Sequence, residues 1–116
     1  MSPLELIARR EALGLSQSQL AAQLDVAQNT VSTWERGTRG IPPGITVEIE
    51  ALEDIQDAMI DSVFAGLTEV DGHTVLALPL SGGEDLPDGF QRVVAAHVLR
   101  EARADGVVVT LEAVRV

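Results

Sequence analysis

Residues 14–37, GLSQSQLAAQLDVAQNTVSTWERG, constrain this chain more than any other stretch. Ser16 can cap a short helix, with Gln19 three residues on completing a Ser-x-x-Gln box. Leu20, Ala21 and Leu24 fall on one side of that helix. Asp25-Val26 supplies a tight turn. A second short helix follows, with Val31 and Trp34 on its inner side. Its outer side shows Gln28, Asn29, Ser32 and Thr33. Short amides and hydroxyls are a poor choice for a helix face that meets only water, where Glu and Lys serve better.

Two short helices, a tight turn and a polar outer face have the layout of a helix-turn-helix, whose second helix enters a major groove. Over about Leu4 to Pro42 the chain closely resembles the Cro/C1-type (Xre-like) helix-turn-helix regulators. The matching residues are LGLSQSQLA, a turn, then NTVSTWERG followed by Ile-Pro. Gln after the cap, the apolar spacing and the terminal Glu-x-Gly agree at once, a far stronger signal than a lone short motif. Two positions depart from the family pattern. Asp25 stands where Gly is usual, and Asp tolerates a left-handed backbone better than most residues. Ala27 stands where Ser or Thr usually opens the second helix. That loses a cap worth about 1 kcal/mol and a phosphate contact.

The resemblance implies specific roles. Gln28, Asn29, Thr33 and Ser32 are the expected base-contacting residues. Gln and Asn can bond bidentately to adenine, and the Thr methyl can touch a thymine methyl. Gln17, Thr30, Arg36 and Arg39 are the expected contacts to the DNA backbone, which position without reading sequence. Arg10 and Glu35 are expected to pair across helices and fix the angle of the reading helix. Trp34, the only tryptophan, reads as core and not as a stacking platform.

A net charge of −10 looks wrong for a DNA binder until the chain is divided. Residues 1–43 hold four Arg (Arg9, Arg10, Arg36, Arg39) and four acids (Glu5, Glu11, Asp25, Glu35), so they are neutral. Residues 44–116 hold four Arg and fourteen acids, which is the whole of the −10. The acidic part is expected to face away from phosphate. A neutral reader binds DNA weakly by charge alone, so reliance on two half-sites bound together is expected.

The remaining sequence suggests the architecture. Ser2-Pro3-Leu4-Glu5 looks like a helix start, with Pro in the first turn, and that first helix runs to about Leu13. After Pro42-Pro43 a long helix is expected to about Ala65, with apolar positions at Ile45, Ile49, Leu52, Ile55, Met59 and Val63 spaced by three and four. His73 to Leu80 reads as a strand, Phe90 to Arg103 as a helix, and Val107 to Val116 as a second strand. The expected class is α+β: a helix-turn-helix domain over 1–66, including the long helix, then a small strand-helix-strand dimerisation domain over 67–116. Two strands with one covering helix leave edges and an apolar face. Self-association would cover them, through Ile55, Met59, Val63, Val75, Leu76, Leu78, Val107, Val109 and Leu111. This order of elements also resembles, more loosely, the YdiL-like and anti-CRISPR-associated repressors.

Other chemistry finds little support. With no cysteine there is no disulfide or thiolate zinc site. His73 and His97 lack a paired ligand spacing, so no metal and no cofactor are expected. Glu50, Asp54, Asp57 and Asp61 recur along one helix side, a pattern that solvated faces commonly show. No nucleophile elbow, phosphate loop or metalloprotease motif occurs, so the chain is not expected to be an enzyme. No signal-peptide layout or bilayer-length apolar run is present, which points to a cytoplasmic protein with no membrane partner. The leading expectation is a homodimeric repressor, possibly acting on its own operon, that binds an inverted repeat in double-stranded DNA. The alternative is an antitoxin whose acidic second half binds a toxin. A third reading, a ligand-responsive regulator, has little room for a pocket in about 50 residues.

Overall fold

The computed structural model describes residues 1–65, 68–70, 73–79 and 86–114, with the backbone alone for 68–70, 73–79 and 110–114. Four helices come first: α1 (Pro3–Ala12), α2 (Gln17–Leu24), α3 (Gln28–Glu35) and α4 (Pro43–Ala65). Then follow β1 (Thr68–Val70), β2 (His73–Pro79), α5 (Asp88–Ala104) and β3 (Val109–Val114). The chain forms two compact units, Met1–Ile55 and Gln56–Val116. The division thus falls inside α4, whereas the sequence pattern places it after residue 66.

Local chemistry explains the helix ends of the first unit. The Ser2 hydroxyl accepts from the Glu5 backbone N–H at 3.1 Å and opens α1. Ser16 and Gln19 form a reciprocal capping box at α2, which satisfies two otherwise orphaned donors. Asp25 takes the left-handed conformation (φ 55°, ψ 46°). The Val26 N–H then donates to the Ala21 carbonyl and the Asp25 N–H to the Ala22 carbonyl, the paired bonds of a Schellman turn. Gly37 (φ 73°) closes α3 in the same way, with Gly37 N–H bonded to Trp34 O and Thr38 N–H to Thr33 O.

The apolar sides of these helices meet in one core. Leu6, Leu20, Val31 and Ile49 are fully buried, and Leu13, Leu15 and Trp34 nearly so. Burying a leucine of this kind is worth about 2–5 kcal/mol against truncation to Ala. α3 packs against both α1 and α2, so its direction is set from two sides.

In the second unit the expected strand-helix-strand arrangement is corrected. A further strand, β1, precedes the other two, and the order β1-β2-β3 makes a three-stranded sheet. β1 pairs with β2 antiparallel, Val70 opposite His73. β2 pairs with β3 parallel, Thr74 opposite Val109 through Pro79 opposite Val114. A parallel neighbour requires a long crossover, and α5 lies within it. Three residues are too few to show a period of two, which is why β1 escapes pattern reading. The available signal is the Asp71-Gly72 dipeptide between Val70 and His73, the pair that two-residue hairpins favour. The second core holds Ile60, Val94 and Val98, flanked by Met59, Val63, Phe64 and Val109. Phe90 is fully buried, and the buried Gln56 side chain donates to its carbonyl.

Candidate nucleic-acid interface

α3 carries the surface that the sequence singles out. Val31 and Trp34 turn inward, and Trp34 is only 3% exposed, so its ring cannot serve as a platform for bases. Gln28 and Asn29 are exposed, and Thr30, Ser32 and Thr33 are half-buried. Positions 28, 29, 32 and 33 lie along one side of the helix, since residues four apart are neighbours. Gln28 and Asn29 make no side-chain hydrogen bond among the described residues. Their donors and acceptors are therefore available. The Thr33 hydroxyl donates to the Thr30 carbonyl at 2.8 Å. That uses the hydroxyl's one proton and leaves its oxygen as an acceptor beside the methyl, the part that suits a thymine methyl.

Ala27 opens α3 without a side-chain cap, as its missing hydroxyl requires. Arg36 and Arg39 follow at the other end, both exposed and without an ion-pair partner among the described residues. Thr38, which the sequence reading passed over, holds the end of α3 by donating its hydroxyl to Thr33 O at 3.2 Å. Its position just after Gly37 was the available clue.

The angle of α3 is fixed by a network of three helices. Arg10 on α1 donates through Nε to Glu35 Oε2 at 2.7 Å and through Nη2 to Oε1 at 2.9 Å. Its third nitrogen donates to the Leu15 carbonyl at 2.9 Å. Gln17 on α2 adds a bond from Nε2 to Glu35 Oε1 at 3.1 Å. The Gln17 side chain thus already serves Glu35 in the free protein, a link that spacing alone did not reveal.

The electrostatics follow from this geometry. The Glu35 side chain is 5% exposed. Burial pushes its pKa up, but hydrogen bonds from Arg10 and Gln17, with the Arg10 charge, outweigh burial and hold it below the usual carboxylate value. The Arg10 pKa is raised, first by its hydrogen bond to Glu35, against a smaller opposing effect of burial. One cost sits beside the network. The Trp34 Nε1–H is buried with no partner among the described residues, a loss of about 1–3 kcal/mol.

The residues expected at a dimer contact are scattered through the chain. Ile55 is 46% exposed and Val107 is also exposed. Met59, Val63 and Val109 lean on the core of their own unit. The side chains of Val75, Leu76, Leu78 and Leu111 lie outside the described residues. By backbone, the first three belong to β2, the central strand, and Leu111 to β3.

Residues 6–50 match the helix-turn-helix family model, which runs from α1 into α4. This segment is a Cro/C1-type (Xre-like) helix-turn-helix domain. The chain is accordingly a DNA-binding transcription regulator, and its matched domain belongs to a regulatory and not an enzymatic family. No characterised protein matches the chain significantly. Among the described residues no helix is long and apolar enough to cross a membrane.

Proposed function

We propose that this protein is a homodimeric repressor that binds an inverted-repeat operator in the cytoplasm, with α3 reading bases in the major groove. The observation that carries the reading is the available amide pair, Gln28 and Asn29, on a helix locked at Glu35. Gln28, Asn29, Ser32 and Thr33 contact base edges. Gln17, Thr30, Arg36 and Arg39 hold the sugar-phosphate backbone, which sets register without reading sequence.

Two copies are needed because the reader is electrically neutral. Its four Arg and four acids over residues 1–43 cancel, so one reader gains little from phosphate attraction. Joining two readers multiplies affinity with no new contact. A symmetric pair matches a symmetric site, with half-sites about 34–36 Å apart or a multiple of that. Because the second unit has three strands and not two, an incomplete sheet is a weaker reason for self-association than the sequence suggested. Among the described residues the exposed large apolar side chains are Leu4, Val47, Ile55, Val107 and Val108, and Ile55 and Val107 are the two of them expected at the contact.

A second reading has one observation behind it. The fourteen acids after residue 43 suit a basic protein partner, such as a toxin that an antitoxin would neutralise. Selection of bound sequences from random duplex DNA with the purified full-length protein tests the leading reading. An inverted repeat with a fixed spacing is the expected result. Recovery of no consensus, together with a basic protein co-purifying at equal stoichiometry, would favour the second.

A further inference from the structure

Gln17 opens α2, yet its side chain caps nothing there. Ser16 and Gln19 close that helix end between themselves. The Gln17 amide instead reaches 18 positions along the chain, where its Nε2 donates to Glu35 Oε1 at 3.1 Å. An ionised carboxylate only accepts, so the amide has to present its nitrogen there. That nitrogen carries two hydrogens, and one bond to Glu35 leaves the second for a phosphate. The bond joins the first residue of α2 to the last residue of α3, and the Glu35 side chain is nearly closed off from water. At the other end of α3, Ala27 supplies no side-chain cap. The end that carries Gln28 and Asn29 thus has no side-chain tie among the described residues. Between the two ends, Val31 sits fully buried in the core. Gln28 lies about 10 Å along the axis from Glu35, at a rise of about 1.5 Å per residue. A tilt of α3 about Val31 therefore moves the amides as well as the carboxylate.

We propose that Gln17 is a positioning residue for base reading: by tying α2 to Glu35 it sets the tilt of α3, and so whether Gln28 and Asn29 meet their bases. This rests on the reading of α3 as the helix that enters the major groove. It adds to the phosphate contact proposed for Gln17, and the two roles leave different marks. A phosphate contact holds every sequence alike. The aim of a helix matters only where there are bases to recognise, so its loss falls on the operator. Arg10 keeps both of its bonds to Glu35 when the Gln17 amide is gone, so the fold retains its main tie.

Full-length wild type, Gln17→Met, Gln17→Glu and Gln17→Lys test this by competition binding on the selected operator and on a scrambled duplex of equal length. Met keeps the length of the side chain and loses the donor. Glu keeps the shape and sets a second carboxylate against Glu35. Lys keeps a donor that reaches Glu35 and adds a charge for phosphate. The ratio of operator to scrambled affinity should fall about tenfold in Gln17→Met, roughly the worth of one base contact. It should fall at least as far in Gln17→Glu. Gln17→Lys should bind both duplexes more tightly and keep most of the wild-type ratio. The melting temperature of Gln17→Met should stay well above that of Glu35→Ala. One ratio shared by all four proteins would overturn the proposal and leave Gln17 a phosphate contact only. A Gln17→Met chain that melts as low as Glu35→Ala would also overturn it, since Gln17 would then hold the fold and not the aim of α3. Gln17→Lys with the low ratio of Gln17→Met would overturn it too, because the donor to Glu35 would not be what matters. The Gln28→Ala/Asn29→Ala variant tests the reading beneath the proposal separately: a wild-type ratio there means that α3 does not read through these amides, and both fall together.

Discussion

The two units of this protein are built on different kinds of information. In the first, four helix ends are closed by a residue a few positions away: Ser2 with Glu5, Ser16 with Gln19, Asp25 and Gly37 by left-handed turns. In the second, the sheet joins residues far apart, as with Leu76 opposite Leu111, and α5 opens at Pro87 with no side-chain cap. Local closure makes a unit whose shape is written in short words. Long-range pairing makes one whose shape depends on which segments find each other. A reader needs the first kind, because its recognition helix has to hold one angle. The association proposed for the second unit can accept the second kind.

The largest effect that sharpens this contrast comes from separating the units. A chain ending after Ala65 should keep its helices, because the core of the first unit closes within residues 6–52. Operator affinity should nevertheless fall by about 10²–10⁴-fold as paired binding is lost. Circular dichroism and a binding titration check both halves of the statement. A truncated chain that binds the operator like full-length protein would erase the functional difference between the units.

Next in size is Glu35→Ala. It leaves the Arg10 guanidinium enclosed without its partner, for a cost of about 3–5 kcal/mol, and loosens α3 at the same time. Thermal melting should show the loss, and half-site binding should weaken with it. The pH dependence has a definite sign. The Glu35 pKa is lowered in the folded state, so its contribution is fully present above the ordinary carboxylate pKa. It disappears as pH falls through the lower folded value. Wild type should therefore lose part of its stability below the usual carboxylate range, and Glu35→Gln should show a flatter acid limb. Parallel acid limbs for the two proteins would remove Glu35 from the account.

Phe90→Ala makes the matching cut in the second unit. A fully buried phenylalanine costs about 3–5 kcal/mol when truncated. Melting of the second unit should move down while binding to a single half-site persists. Loss of half-site binding in this variant would mean that the reader depends on the second core. The smallest effect is a gain. Ala27→Ser restores the side-chain acceptor that α3 lacks and should stabilise the first unit by about 0.5–2 kcal/mol. An unchanged melting temperature would show that the uncapped start costs the reader nothing.

Legibility in the sequence follows the same division. The capping box at Ser16, the left-handed Asp25 and the inward Val31 and Trp34 can all be read within a few residues, because each obeys a fixed spacing. The Arg10–Glu35 contact spans 25 positions and came only from the family resemblance. The link from Gln17 to Glu35 and the ion pair of Arg9 with Glu53 had no local signature at all. They exist because folding brings α1, α2, α3 and α4 together, which no spacing announces. β1 was missed for another reason: three residues hold no pattern, and only its Asp-Gly neighbour hinted at a hairpin. Met59, Val63 and Val109 show a further limit. An apolar stripe states that a side is covered but not by what, and these three lean on their own unit's core.

The central claim is that the exposed amides of α3 read bases from a helix whose angle is fixed elsewhere. Competition binding of the Gln28→Ala/Asn29→Ala variant, on the selected operator and on a scrambled duplex of equal length, tests it most directly. Each bidentate contact is worth about 1–3 kcal/mol of discrimination. The account predicts that operator affinity falls close to the scrambled value, while scrambled binding and the melting temperature stay at wild-type levels. Operator affinity and discrimination equal to wild type would contradict it.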